Sequence, residues 1–352
     1  MTQDALEIGG DFDWSGIPPG PYLRWPDNSI WYGRGRDALT AIFHARKAEF
    51  GDGVRLLLPD YFCPSVANFW QRSGISLVYY RDDPSLPHPV WESIDSQGPG
   101  LLLAVNYFGV RDMRPWRERY GPRDDLLLIE DQTHDPFCPD SDTGAADYAF
   151  ASVRKLLPVS DGAILWSPAG ARLPSAERDT TVAGASAKLA AMVLKASYLG
   201  QCPRDPSLKE RFRQLQLTGE QELESFPGIL SVTPWSVAAL EHGYPKAWRD
   251  RRERNVRFIV DELIASNVVQ PLFSDWMPGQ CPYNAVVLYP RKSARDAARN
   301  RLIAAGIYPP VHWPVSAEVS TEAHELGCRV LTIPLDHRCG EGERAKILAH
   351  LR

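Results

Sequence analysis

Short, unbroken apolar runs alternate along this chain with segments whose apolar residues recur every three or four positions. VRLLLPD, SLVYY, LLLAVNYFG, DLLLIEDQTH, DYAFAS and GAILWS are runs of the first kind. They are short, and most lack the in–out alternation of a half-exposed strand, so they predict strands buried on both faces. GRGRDALTAIFHARKAEFG is of the second kind: Ala38, Leu39, Ile42, Phe43 and Ala45 keep helical spacing until Gly51 ends the pattern. PSVANFWQRSG and MRPWRERYG also read as helices. Strands alternating with helices predict an α/β fold with a largely parallel sheet covered by helices. NSIWY, short and polar at its start, makes a poor buried strand.

The first thirty residues, rich in Pro, Gly and Trp, show no period and predict an extended arm, residues 1–30. Residues 180–263 predict a mainly helical stretch. Within it PKAWRDRRERNVRFIVDEL carries mixed charge at three- and four-residue spacing, which reads as a solvated helix face. The RDRRER block also suits phosphate, but the solvated reading is the simpler one. NAVVLYP, SARDAARNRLIAAG and VLTIPLD then predict a smaller C-terminal α/β subdomain. The expected division is a large domain over 31–240 and a small one over 241–352.

Composition narrows the function. The 352 residues are 44% hydrophobic and 24% charged, with a net charge of −5, which speaks against a sequence-independent nucleic-acid binder. No apolar stretch reaches the roughly 18 residues of a membrane span, and the acidic start has no signal-peptide layout. A cytoplasmic protein is expected. The six cysteines, Cys63, Cys138, Cys202, Cys281, Cys328 and Cys339, form no metal-ligand spacing, so reduced core or loop residues and no metal are expected.

Ligands of open parallel sheets bind beyond the carboxyl ends of the strands. Those positions hold Pro59-Asp60-Tyr61-Phe62, Asn106-Tyr107-Phe108-Gly109, Glu130-Asp131-Gln132-Thr133-His134 and Ser152-Val153-Arg154-Lys155. Asp131, ending an apolar strand, needs a cationic partner to stay ionised. Lys155, before the apolar loop LLPVSDG, is a candidate Schiff-base former. A surface ion pair and an ordinary loop lysine are the plainer alternatives.

The order of these segments resembles fold type I pyridoxal-phosphate enzymes, most closely the DegT/DnrJ-type family that aminates nucleotide-linked sugars. GRGRDAL resembles the family's Ser-Gly-Thr-x-Ala-Leu helix start and LLLPDYFCPSVANF its strand-loop-helix. NYFG is similar to its His-x-x-Gly turn, LLLIEDQTH to its Glu-Asp-x-x-Gln segment, and VLTIPLDHR to its leucine-proline strand. The resemblance implies a pyridoxal 5'-phosphate aminotransferase moving an amino group from an amino-acid donor, such as glutamate or glutamine, to a keto acceptor. Lys155 would hold the cofactor as a Schiff base and move the proton. Asp131 would pair with the ring nitrogen, and His134, where the family has Gln, would meet the phenolic oxygen. Gly35, Arg36 and Ser152 would bind phosphate, and Tyr61 or Phe62 would stack on the ring. His312, Trp313 and Arg338 are expected at the substrate, with an Asp336–Arg338 ion pair favoured over substrate binding for the last. A homodimer is implied as well. Two departures stand out: Ser152 lies three residues before the lysine rather than five, and Arg34 and Arg36 replace small residues.

Three other functions are weighed. The cofactor could serve decarboxylation, elimination or C–C bond formation instead. Gly33-Arg34-Gly35-Arg36-Asp37-Ala38 fits G-x-G-x-x-A of NAD-linked oxidoreductases, but arginine between the glycines crowds the pyrophosphate and Lys155 is left without a role. A non-catalytic ligand-binding protein would have no need of Lys155 with Asp131.

Overall fold

The computed structural model describes residues 7–139, 141–201 and 203–351. Cys202 and the first six residues of the expected arm lie outside them. The chain opens with two minimal strands, β1 (Ile8–Gly9) and β2 (Tyr22–Leu23), then β3 (Ser29–Tyr32) and α1 (Gly35–Phe50). Next come β4 (Leu56–Pro59), α2 (Pro64–Arg72), β5 (Leu77–Tyr80), α3 (Trp91–Asp95) and β6 (Gly100–Val105). α4 (Arg114–Tyr120), β7 (Leu126–Asp131), β8 (Tyr148–Ala151) and β9 (Ala163–Trp166) complete the main sheet and its helices.

That sheet has seven strands in the order β3-β9-β8-β7-β6-β4-β5. β5, β4, β6, β7 and β8 run parallel, and β9 is antiparallel to both β8 and β3. The unbroken apolar runs have a direct cause. Leu56, Leu58, Leu101 and Leu103 pack under Ala38, Leu39, Ile42 and Phe43 of α1, while Leu57 and Leu102 face Trp116 and Tyr120 of α4. Both faces are covered, so neither can be polar. NSIWY does form a strand, at the sheet edge, where its half-exposed positions suffer no penalty.

α5 (Ala183–Leu199) and α6 (Pro206–Ser225) form an antiparallel pair. Gly184 and Gly219 set their approach, since a Cβ on either would come within 2.9 Å of the other's carbonyl oxygen. Asp205 caps α6 by accepting from the Ser207 amide at 2.8 Å. α7 (Pro234–Leu240) leads to β10 (Tyr244–Pro245) and α8 (Lys246–Ser266), which ends at Asn267 in the left-handed conformation. Then follow β11 (Gln270–Pro271), β12 (Ala285–Leu288), α9 (Lys292–Ala304), β13 (Ile307–Tyr308), α10 (Thr321–Arg329), β14 (Val330–Ile333) and α11 (Glu341–Leu351). β11, β12 and β14 make a second, antiparallel sheet, and residues from Val256 to Leu351 close a separate apolar core around it, joined by Ile8.

The amino-terminal arm is pinned at two places. β1 pairs in parallel with β13, and β2 pairs antiparallel with β10. No described helix is long and apolar enough to cross a membrane.

Candidate active site

The loop after β7 is fixed from beneath. Glu130, fully buried, takes two hydrogen bonds from Arg117 at 2.7 and 2.8 Å. Gln132 donates to the same carboxylate at 2.7 Å and accepts from Asn106 at 2.8 Å. A network so completely satisfied holds its backbone in one arrangement. Asp131, the neighbour of Glu130, therefore points the other way and is half-buried. Burial raises its carboxyl above the ordinary carboxylate range, against the pull of the Lys155 charge and of hydrogen bonds from Thr133.

His134 is 3% exposed. Its Nδ1 accepts the Phe108 amide at 3.0 Å, so the neutral ring carries its proton on Nε2. Burial, and then the Lys155 charge, push its pKa far below the usual 6.5 and keep it neutral. The ring lies between Phe108 and Tyr283, stacked at centroid distances of 5.5 and 4.7 Å. Nε2 has no partner among the described residues. A buried N–H left without an acceptor marks a place where a ligand oxygen fits.

Ser152 and Lys155 follow β8. The Ser152 amide donates to Thr133 Oγ1 at 3.1 Å, tying the two loops together. Gly35, at the start of α1, abuts Ser152: a Cβ there would sit 3.2 Å from the serine Cβ. Lys155 closes a short turn and lines the largest cavity, of about 460 Å3. Its charge depresses His312 as well, which burial brings to about 3.

The other walls come from distant parts of the chain. Gly9 to Phe12 of the arm, Lys188 of α5, Arg252 of α8, Tyr283 and Arg338 all face the same cavity. Arg154 makes two 2.8 Å bonds to Glu220, which Lys188 also meets at 2.5 Å. His337 is stacked on Trp248 at 3.6 Å and on Phe12 at 5.7 Å.

Of the residues expected at a site, Lys155, His312 and Arg338 line the cavity, with Asp131, His134 and Ser152 grouped behind it. Arg338 is bound at Nε and Nη2 by Asp336, at 3.0 and 2.7 Å, as the ion-pair reading had it. Four lie elsewhere. Arg36 sits over the Phe69 ring at 4.1 Å and donates to the Leu223 carbonyl. Arg34 beside it is spent on Asp37 and on carbonyls at the end of α6. Tyr61 is fully buried with its hydroxyl on the His312 carbonyl, and Phe62 stacks on Trp70 at 5.9 Å. Trp313 is buried against Phe108 and His134. Sequence reasoning missed Arg252, Tyr283 and the arm, because their distance along the chain from Lys155 gives no local signal.

No protein-family model and no curated protein sequence matches the chain. Solved structures do. DesV of S. venezuelae, in complex with a ketimine intermediate, is 17% identical, with 92% of this chain and 84% of that one covered, at a TM-score of 0.58. A DegT DnrJ EryC1 StrS aminotransferase from Brucella abortus is 16% identical, covering 92% and 85%, at 0.57. The PLP form of Spr1654 from Streptococcus pneumoniae is 14% identical, covering 92% and 86%, at 0.61. The fold is the α/β fold of these proteins.

Proposed function

We propose that the chain is a pyridoxal 5'-phosphate-dependent aminotransferase that passes an amino group from an amino-acid donor to a keto acceptor, either a keto sugar or a specialised metabolite. The observation that carries this reading is the grouping of Lys155, Asp131 and the orphaned Nε2–H of His134 at the carboxyl ends of β7 and β8. The donor set suits a pyridine ring bearing a phenolic oxygen: a carboxylate for a protonated ring nitrogen, a neutral imidazole N–H for the oxygen, an amine for the carbonyl carbon. Bound there, the cofactor supplies a carbonyl that takes up amines and a ring that withdraws electrons from the adjacent carbon.

The chain's own groups do the rest. Asp131 holds positive charge at the ring nitrogen, and that cation in turn restores the ionisation that burial opposes. His134 orients the ring through a donor that cannot become an acceptor, since Nδ1 is occupied by Phe108. Lys155 Nζ takes a proton from the substrate carbon and returns it one atom away. At the phosphate end, Ser152 and the first amides of α1 are the donors we assign, with Gly35 allowing the close approach. The Arg36 side chain has no part in it, being engaged at Leu223. The same cofactor chemistry could decarboxylate, eliminate or join carbon atoms, but the likeness to aminotransferase structures favours amino transfer. A cytoplasmic homodimer belongs to this proposal, checked by sedimentation.

The test is a visible spectrum of the purified protein before and after borohydride, with peptide mass mapping. A yellow protein that fixes the pyridoxyl mass on Lys155, and a colourless Lys155→Ala variant with an unchanged melting temperature and no turnover, are expected. A wild-type protein that takes up no pyridoxal phosphate would sink the reading.

A further inference from the structure

Six cationic side chains line the cavity against two carboxylates, Asp11 and Asp336. Three of the six are neutralised where they stand, Arg338 by Asp336 and both Arg154 and Lys188 by Glu220. Lys155 serves the chemistry, and Arg299 is half-exposed with its Nε on the Pro309 carbonyl. Arg252 remains. It is 3% exposed, and among the described residues no carboxylate lies within ion-pair distance of it. Its hydrogen bonds go to neutral groups, the Cys281 sulfur at 3.3 Å and the Tyr244 hydroxyl at 3.4 Å. Of the five N–H groups of a guanidinium, these use two.

A buried guanidinium is tolerated where an anion completes it. The surroundings point to where that anion comes from. Tyr283, another wall of the cavity, stacks on His134, whose pKa the Lys155 charge depresses, so Arg252 and Lys155 face one shared space. We propose that Arg252 anchors a carboxylate of the amino-acid donor, and of the keto acid it becomes, while the amine end is worked on at Lys155. This rests on the amino-transfer reading and names its substrate class more closely. The planar fork matches a carboxylate at two points. One uncompensated guanidinium balances a single negative charge, which favours a carboxylate over a doubly charged phosphate. A cavity of about 460 Å3, toward the small end of enclosing pockets, suits a small acid.

The test titrates glutarate, a dicarboxylate with no amine to react, into the purified protein by calorimetry. Wild type and Lys155→Ala are expected to bind it alike. Arg252→Gln is expected to weaken binding by about tenfold or more. Arg252→Lys, which keeps the charge and guards against misfolding of the glutamine variant, should fall between. In turnover, Arg252→Lys should raise KM for the amino donor far more than it lowers kcat. Unchanged glutarate affinity in a folded Arg252 variant overturns the proposal, as does a wild type that binds inorganic phosphate through Arg252 and ignores glutarate. Glutarate binding that depends on Arg252 in a protein that fixes no cofactor would uphold the carboxylate site while removing amino transfer. Cofactor on Lys155 with glutarate indifferent to Arg252 would do the reverse.

Discussion

Replacing Glu130 by alanine is expected to cost the fold more than any change at the neighbouring Asp131. Glu130 is fully buried and Arg117 is 8% exposed, and their two bonds of 2.7 and 2.8 Å form a planar pair. Deleting one partner of a buried ion pair costs about 3–5 kcal/mol, because the remaining charge stays out of water. Gln132 loses the acceptor it reaches at 2.7 Å, which places the loss in the upper part of that range. Unfolding entropy of about 2.1 cal/mol/K per residue, over 352 residues, gives about 0.7 kcal/mol/K if the chain melts as one unit. The melting temperature should then fall by about 4–7 °C. Scanning calorimetry reads this directly, and urea unfolding gives the free energy independently. The control is Arg117→Met with Glu130→Leu, which removes both charges and fills the space. That pair should recover most of the loss. A single alanine costing under about 1 kcal/mol, or a double variant no better than the single one, would refute the argument.

Three further outcomes are expected. Asp131→Asn should lower kcat by about 100-fold or more with the fold retained, and a kcat within twofold of wild type at equal cofactor occupancy would contradict the role given to Asp131. Burial brings His337 down to about 4, with Asp336 pulling the other way, whereas an unfolded histidine titrates near 6.5. The unfolded chain binds more protons between these values, so this ring's stabilisation is present above pH 6.5 and is lost as the pH falls toward 4, at about 1.4 kcal/mol per pH unit. His337→Phe keeps the stack on Trp248 and should flatten the stability–pH curve by that slope; parallel curves would count against it. Gly109→Ala should destabilise by about 1–3 kcal/mol or more, since Gly109 has φ +78° and an added Cβ would lie 2.6 Å from the Cys281 carbonyl oxygen; chemical denaturation checks it.

The large sheet was legible because burial on both faces leaves a run that no surface strand needs. Asp131 and Lys155 were legible for a related reason: strands that align in parallel bring their following residues to one edge. The edge strand NSIWY was undervalued, because an outer position relaxes the demand for apolar residues. The fates of Arg34, Arg36 and Arg252 could not be read locally. Arginines on a helix carry the same spacing whether they meet solvent, carbonyls at another helix's end, or a cavity, and here the α6 terminus decides the first two. The RDRRER block shows both outcomes within two residues, for Arg251 donates to the Cys339 carbonyl while Arg252 turns to Cys281 and Tyr244. The two-residue strands β1 and β2 are too short to have any period at all.

Those two pairings set a schedule for biosynthesis. Ile8 and Gly9 cannot find Ile307 and Tyr308 until nearly the whole chain has been made, and Arg338 reaches the carbonyls of Gly10 and Asp11 across 328 and 327 positions. At about 5–20 residues per second, the arm waits for roughly 15–65 s on the ribosome before its partners emerge. The main sheet can assemble in that interval, but one wall of the cavity, formed by Gly9 to Phe12, is the last to arrive. A nascent chain, or one with a bulky fusion ahead of Glu7, would thus carry a formed sheet and an open cleft. The first residues translated are the ones that finish the site.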